Sequence, residues 1–115
     1  MLFRSRSSAS ADVFHAVADA NRRGVLDRLA KGEATVGAVV GEVGLSYSAV
    51  SQHLAILLDV GLVRRRQEGR QRLYRLNAPP LREVARWVSH YEPFWSERLD
   101  RLEAFFDEHG NRKRR

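Results

Sequence analysis

Apolar residues follow two rhythms along the chain. Phe14 and Val17, then Val25, Leu26 and Leu29, recur at helical spacings in segments that each open on an aspartate, Asp12 and Asp19, able to cap a helix and complement its dipole. The pattern predicts helices over about 12–18 and 19–30, the second ended by Lys31 and Gly32. Val36, Val39, Val40 and Val43 predict a short third helix stopped by Gly44, and Val50, Leu54, Leu57 and Leu58 a fourth from about Tyr47 to Val60. Ser46 is placed to accept from the orphan amides of that fourth helix, and Gly61 to take the left-handed turn that closes it. Gly37 and Gly41 each cost the third helix up to about 1 kcal/mol relative to alanine. A close helix contact is the one use they suggest.

The period then changes. Leu62–Gln67 and Gln71–Leu76 flank Glu68, Gly69 and Arg70, and Gly69 suits the positive φ of a two-residue hairpin loop. Asn77, Ala78, Pro79 and Pro80 form a stiff break. Beyond it Leu81, Val84, Val88, Tyr91, Trp95, Leu99, Leu102 and Phe106 recur at three or four, predicting one long amphipathic helix, or two kinked at Pro93. Trp87, Phe94 and Phe105 widen this stripe beyond what one small domain can cover, which marks an interface. The expected dimer contacts are Leu81, Val84, Trp87, Val88, Tyr91, Trp95, Leu99, Leu102 and Phe106.

Two adjacent helices joined by a glycine-containing turn form a helix-turn-helix, and a ribbon after the second helix makes it a winged one. The face of the fourth helix opposite its apolar side carries Ser48, Ser51, Gln52 and Ala55. A merely solvated face is normally filled with Glu and Lys. This uncharged one lets the helix approach base edges and offers Gln52 as a bidentate reader of adenine. Arg64, Arg65, Arg66, Arg70, Arg72 and Arg75 crowd the ribbon beside a single local acid, Glu68. Blunting a sheet edge rarely takes six arginines, whereas phosphates would satisfy them. The residues expected to meet DNA are Ser46, Tyr47, Ser48, Ser51, Gln52, His53, Arg65, Arg70 and Arg72. His15, Arg22 and Arg23 are expected on the surface, although an arginine near a helix start can reach a phosphate.

Composition narrows the field. A chain of 115 residues is one modest domain. A formal net charge of +6 and a pI near 10.7 point to a polyanionic partner, nucleic acid or an anionic membrane surface. With no apolar run of membrane-spanning length and no signal-peptide core, the expectation is a cytoplasmic protein without a membrane partner. The absence of cysteine excludes disulfides and thiolate metal sites. No nucleophile and base stand at motif spacing and there is no phosphate loop, so an enzyme is not expected. Residues 1–11 suggest a flexible basic arm, 12–107 the winged domain with a dimerisation helix over about 80–107, and 108–115 a basic tail.

The run VFHAVADANRRGVLDRLAKGEATVGAVVGEVGLSYSAVSQHLAILLDVGLVRRRQEGRQRLYRLN resembles the ArsR/SmtB family of small dimeric bacterial repressors. It shares their ALADPTRRxIL-like opening, with Ala20 for Pro and Asn21 for Thr, their SxxSxHLxxLxxAGLV recognition helix and their EGRxxxYRL wing. The likeness covers about 12–106. It implies a mainly α fold with a small β-hairpin wing, dimeric through its terminal helices, that represses transcription from double-stranded DNA. Where thiolate-type metal sensors of the family carry Cys-x-Cys, this chain has Thr35 and Gly37. His90, Glu97, Asp100, Asp107, Glu108 and His109 do not reproduce the carboxylate and histidine spacing of other members, so no metal cofactor is expected. The sequence names no effector. The alternatives are a metal- or ligand-gated repressor with its effector site at the dimer interface, and a weakly specific architectural DNA-binding protein.

Overall fold

A computed structural model describes the backbone of residues 12–109, and their side chains except at 97–100 and 108–109. The expected arm at 1–11 lies outside the described residues, as do residues 110–115 of the expected tail. The chain divides into two compact units, Met1–Val84 and Ala85–Arg115.

In the first unit, residues 12–17 are helical (α1), followed by α2 (Ala20–Ala30), α3 (Val36–Val43) and α4 (Tyr47–Asp59). Sequence punctuation sets their ends. Asp19, in extended conformation, accepts from the amides of Asn21 and Arg22 at 2.8 and 3.0 Å, and Thr35 and Ser46 cap α3 and α4 through the amides of Ala38 and Ala49. After α4 the Leu62 amide returns to the Leu57 carbonyl at 2.9 Å and the Gly61 amide to that of Leu58 at 3.1 Å, with Gly61 at φ 83°. This is a Schellman closure, with Leu57 and Leu62 both buried in the core.

Arg22 departs from the surface place expected of it, whereas His15 and Arg23 are exposed as expected. Arg22 is buried: its Nε donates to the Ala16 carbonyl at 2.9 Å and its Nη2 to that of His15 at 3.2 Å, while Arg23 Nη1 donates to Val17 at 2.8 Å. The first turn of α2 thus satisfies the carbonyls that α1 leaves orphaned at its end, and puts cations at the negative pole of that helix. Both guanidinium groups are engaged in the α1–α2 corner.

The hairpin pairs β1 (Val63–Glu68) with β2 (Gln71–Leu76), in antiparallel register from Val63 opposite Leu76 to Glu68 opposite Gln71. Gly69 takes φ 62° and Arg70 does not go positive, the pattern of a type II′ turn. Ala34 adds a one-residue third strand, its amide to the Tyr74 carbonyl at 3.0 Å and the Tyr74 amide to its carbonyl at 2.8 Å. Val25 and Leu29 of α2, Val39 of α3, Val50, Leu54 and Leu57 of α4, and Leu62, Val63 and Tyr74 meet in one core. Val13 and Ala16 are buried there too, one residue out of register with the expected Phe14 and Val17, which pack at the edge or half-exposed. Gly37 and Gly41 make no close helix contact, since a Cβ at either would meet nothing nearer than 3.9 Å. Nothing in the structure explains them.

Past the proline break come α5 (Leu81–Ser89) and α6 (Glu92–His109). The apolar stripe therefore runs over two helices. Pro93 occupies the first turn of α6, where the missing amide has no intrahelical acceptor to lose, so it starts a helix instead of kinking one. The unit boundary falls within α5, and α6 continues two residues beyond the expected end at 107.

Candidate nucleic-acid interface

Burial of Val50, Leu54 and Leu57 fixes the rotation of α4 and leaves Ser48, Gln52 and Ala55 exposed, with Ser51 half-buried at the border. Tyr47, at 61% exposure, stands at the head of the helix next to its cap Ser46. A groove of about 330 Å³ runs from Thr35 and Gly37 at the head of α3, past Tyr47 and Ser51, to Arg72 on β2. It brings three of the expected DNA-contacting residues to one surface.

His53 stands apart from them. It is half-buried, its Nδ1 enclosed without a hydrogen-bond partner. Its charge favours the ionised form of Asp19, the cap of α2. The Asp19 carboxyl lies below the ordinary range first because the Arg22 amide bonds to it, with the Arg22 guanidinium, the Asn21 amide and His53 adding to that. The helical spacing that marked His53 as polar does not distinguish the open face from the half-buried flank beside it.

The register sorts the arginines of the wing. Because alternate residues of a strand face opposite sides, Val63, Arg65 and Gln67 share a face with Arg72, Tyr74 and Leu76, and the burial of Val63 and Tyr74 makes this the side that looks toward the helices. Arg65 and Arg72 continue that face out into solvent, with Arg70 at the turn. None of these three forms an ion pair among the described residues. Arg64, Arg66 and Arg75 occupy the reverse face, where Arg64 lies directly opposite Arg75.

Arg66 is not available in the way the count of six suggests. Its Nε and Nη2 meet Glu33 Oε2 and Oε1 at 2.7 and 2.9 Å, and Glu68 Oε1 lies 3.3 Å from Nη2. The side-chain bond from Arg66, with the charges of Arg66 and Arg75, draws the Glu33 carboxyl below its usual range, and the same bond raises Arg66. Glu68 is therefore not the single acid beside the ribbon. The pair spans 33 residues, and a lone glutamate in a short link carries no sequence signal for it.

The expected dimer residues form two groups. Leu81 and Val84 pack against the core of the first unit, where with Val17, Leu26, Ala30 and Leu76 they line an apolar groove of about 450 Å³. In the second unit Trp87, Tyr91, Trp95, Leu102 and Phe106 are 40–53% exposed, beside Phe94 at 70% and Phe105 at 51%, while Val88 is half-buried. The Leu99 side chain lies outside the described set. Trp87 and Tyr91 pack edge to face with centroids 5.4 Å apart, as do Phe105 and Phe106 at 5.6 Å. Among the described residues no three His, Asp or Glu side chains come close enough to hold a metal ion, and no helix is long and apolar enough to cross a membrane. The side chains of Glu97, Asp100, Glu108 and His109 are outside that description.

Comparison with known proteins places this geometry. The profile of the arsR family of bacterial regulatory proteins matches residues 19–65, from the cap of α2 to the start of β1. The HTH-type transcriptional regulator Rv2034 of Mycobacterium tuberculosis is 33% identical over 98 residues, covering 85% of this chain and 89% of the relative. The transcriptional repressor SdpR of Bacillus subtilis is 30% identical over 80 residues, 70% of this chain and 89% of its own. Among solved structures, the homodimeric winged helix-turn-helix DNA-binding domain Mb0332 of Mycobacterium bovis, a possible ArsR-family regulator, superposes with a TM-score of 0.64 at 30% identity, over 81% of this chain and 90% of that one.

Proposed function

This chain belongs to the arsR family of bacterial regulatory proteins, and from that premise we propose that it is a sequence-specific repressor, acting as a homodimer on a pseudo-palindromic operator. The observation that carries the reading is the pairing of an exposed, uncharged face on α4 with three arginines, Arg65, Arg70 and Arg72, that have no acid of their own among the described residues. Base edges take the first and phosphates the second. Gln52 reads a base; Ser48 and Ser51 allow close approach; Ser46 holds the head of the helix and Tyr47 borders the backbone. One winged helix reads too few bases to be specific. Doubling through the aromatic stripe of α5 and α6 supplies a second half-site about one helical turn away or a multiple of it. The homodimeric state of the Mycobacterium bovis relative supports this assembly.

Repression then needs only steric cover of a promoter, and an effector would act by preferring the DNA-competent or the incompetent state. Footprinting on the DNA upstream of its own gene tests the reading. A protected pseudo-palindrome is expected. Equal affinity for that DNA and for random duplex would favour an architectural protein instead.

A further inference from the structure

One acid at the wing has no role in the reading above. Glu33 sits in the link between α2 and α3, beside Ala34, whose two hydrogen bonds to Tyr74 make the link an extra strand along β2. That antiparallel bridge sets Glu33 against Arg75, on the reverse face of the wing with Arg64 and Arg66. From there its carboxylate reaches across β2 and fills the Arg66 fork with both oxygens, at 2.7 and 2.9 Å. Two phosphate oxygens would fill that fork in the same way.

We propose that Glu33 is a built-in competitor of DNA phosphate: a positioning residue that occupies the Arg66 guanidinium and so limits how tightly the wing holds any duplex. The inference rests on the DNA-binding reading. Exposure supports an exchangeable contact, because the Arg66 and Glu33 side chains are 49% and 28% exposed and an ion pair so open to water and salt contributes little to folding. Placement supports it too. Arg66 lies on the strand that leads into the turn bearing Arg70, so a guanidinium released from Glu33 adds to the cations Arg64 and Arg75 on the reverse face, opposite Arg65 and Arg72. Arg64 and Arg75, directly opposite each other, repel, and Glu33 eases that repulsion through its interaction with Arg75. Its removal leaves three arginines on the reverse face with Glu68, 3.3 Å from Arg66, as the acid still beside them, an excess of charge that favours an external anion.

The test is a binding titration of the full chain on a random duplex at several salt concentrations, for the wild type, Glu33→Gln, Arg66→Ala and the double variant, each checked for folding by circular dichroism. Glu33→Gln is expected to bind more tightly and to steepen the log–log salt slope by about 0.9, one added phosphate contact. Between 50 and 200 mM salt this is about a 3.5-fold greater loss of affinity. Arg66→Ala is expected to keep the wild-type slope, and the double variant to show no gain. A Glu33→Gln slope that is unchanged or shallower overturns the proposal. So does a slope that falls in Arg66→Ala alone, which would mean that Arg66 already holds a phosphate; this arm decides the matter even if Glu33→Gln fails to fold. A wild type with no salt-dependent affinity for any duplex sinks the DNA-binding reading itself, a separate result.

Discussion

The side-chain amide of Asn77 donates to the Gly61 carbonyl at 2.6 Å. Gly61 is where α4 ends and the chain turns toward β1; Asn77 is the first residue after β2, and its backbone amide also bonds Leu62 at 2.8 Å. One residue therefore fastens both ends of the wing to the exit of α4.

Replacing Asn77 with Ala should cost about 1 kcal/mol, the net value of a hydrogen bond, and should weaken operator binding by loosening the wing. A urea titration reading the midpoint at constant slope measures the first effect. Unchanged stability together with unchanged affinity would show that the bond holds nothing in place.

Gln52 and the wing should fail differently. Gln52→Ala is expected to cost about 1 to 3 kcal/mol, mostly at one position of each half-site. Arg70→Ala with Arg72→Ala should weaken operator and random duplex alike and flatten the salt slope by about 0.9 for each phosphate left without its arginine. Titrations against the operator, single-base variants and random duplex separate them. An equal loss on every sequence for Gln52→Ala would assign it to the wrong role.

The aromatic stripe gives an assembly prediction. Trp95→Glu together with Leu102→Glu should convert dimers to monomers and abolish operator binding while helix content stays largely intact, because both side chains are exposed in the single chain. Sedimentation decides it, and a wild type that is monomeric at micromolar concentration would end the idea.

Asp19 predicts an acid limb. Its folded pKa is depressed below the unfolded value of about 3.9, so its contribution is complete above that value and is lost as pH falls through the folded one. Asparagine keeps the capping oxygen but does not titrate. Asp19→Asn should therefore show a shallower loss of stability than the wild type between about pH 5 and 2 in melts followed by circular dichroism. Parallel curves would mean that the cap charge is not felt. Glu33, also depressed, titrates in the same window in both proteins.

Much of the architecture is local and so was legible in the chain. Caps at Asp19 and Ser46, the glycine closures at Gly44 and Gly61, and the turn at Gly69 depend on neighbouring dihedrals and amides, which a short run of residues specifies; the cap at Thr35 is of the same local kind but was not among those expected. The α4 face with Ser48 and Gln52 followed from a helical period alone. The hairpin and its Gly69 turn followed from the change of period, although β1 runs Val63–Glu68 and not 62–67, so that Glu68 leaves the expected turn and pairs with Gln71.

The order of residues does not settle which charged groups remain free. Arg22 looks like a surface cation until the end of α1 presents the Ala16 carbonyl to it and buries it, and Arg23, though exposed, is drawn to the Val17 carbonyl. Arg66 looks like Arg65 until the link carrying Glu33 pairs with β2 and delivers a carboxylate from 33 residues away. His53 looks like Gln52 until the fold half-buries it and encloses its Nδ1. Helices, wing and their polarity were already written in the amino-acid order, because hydrophobic period and capping act over a few residues. How many arginines the wing can offer was settled by the folded arrangement alone, because charge pairing depends on distance in space, and that distance exists only once the core has closed.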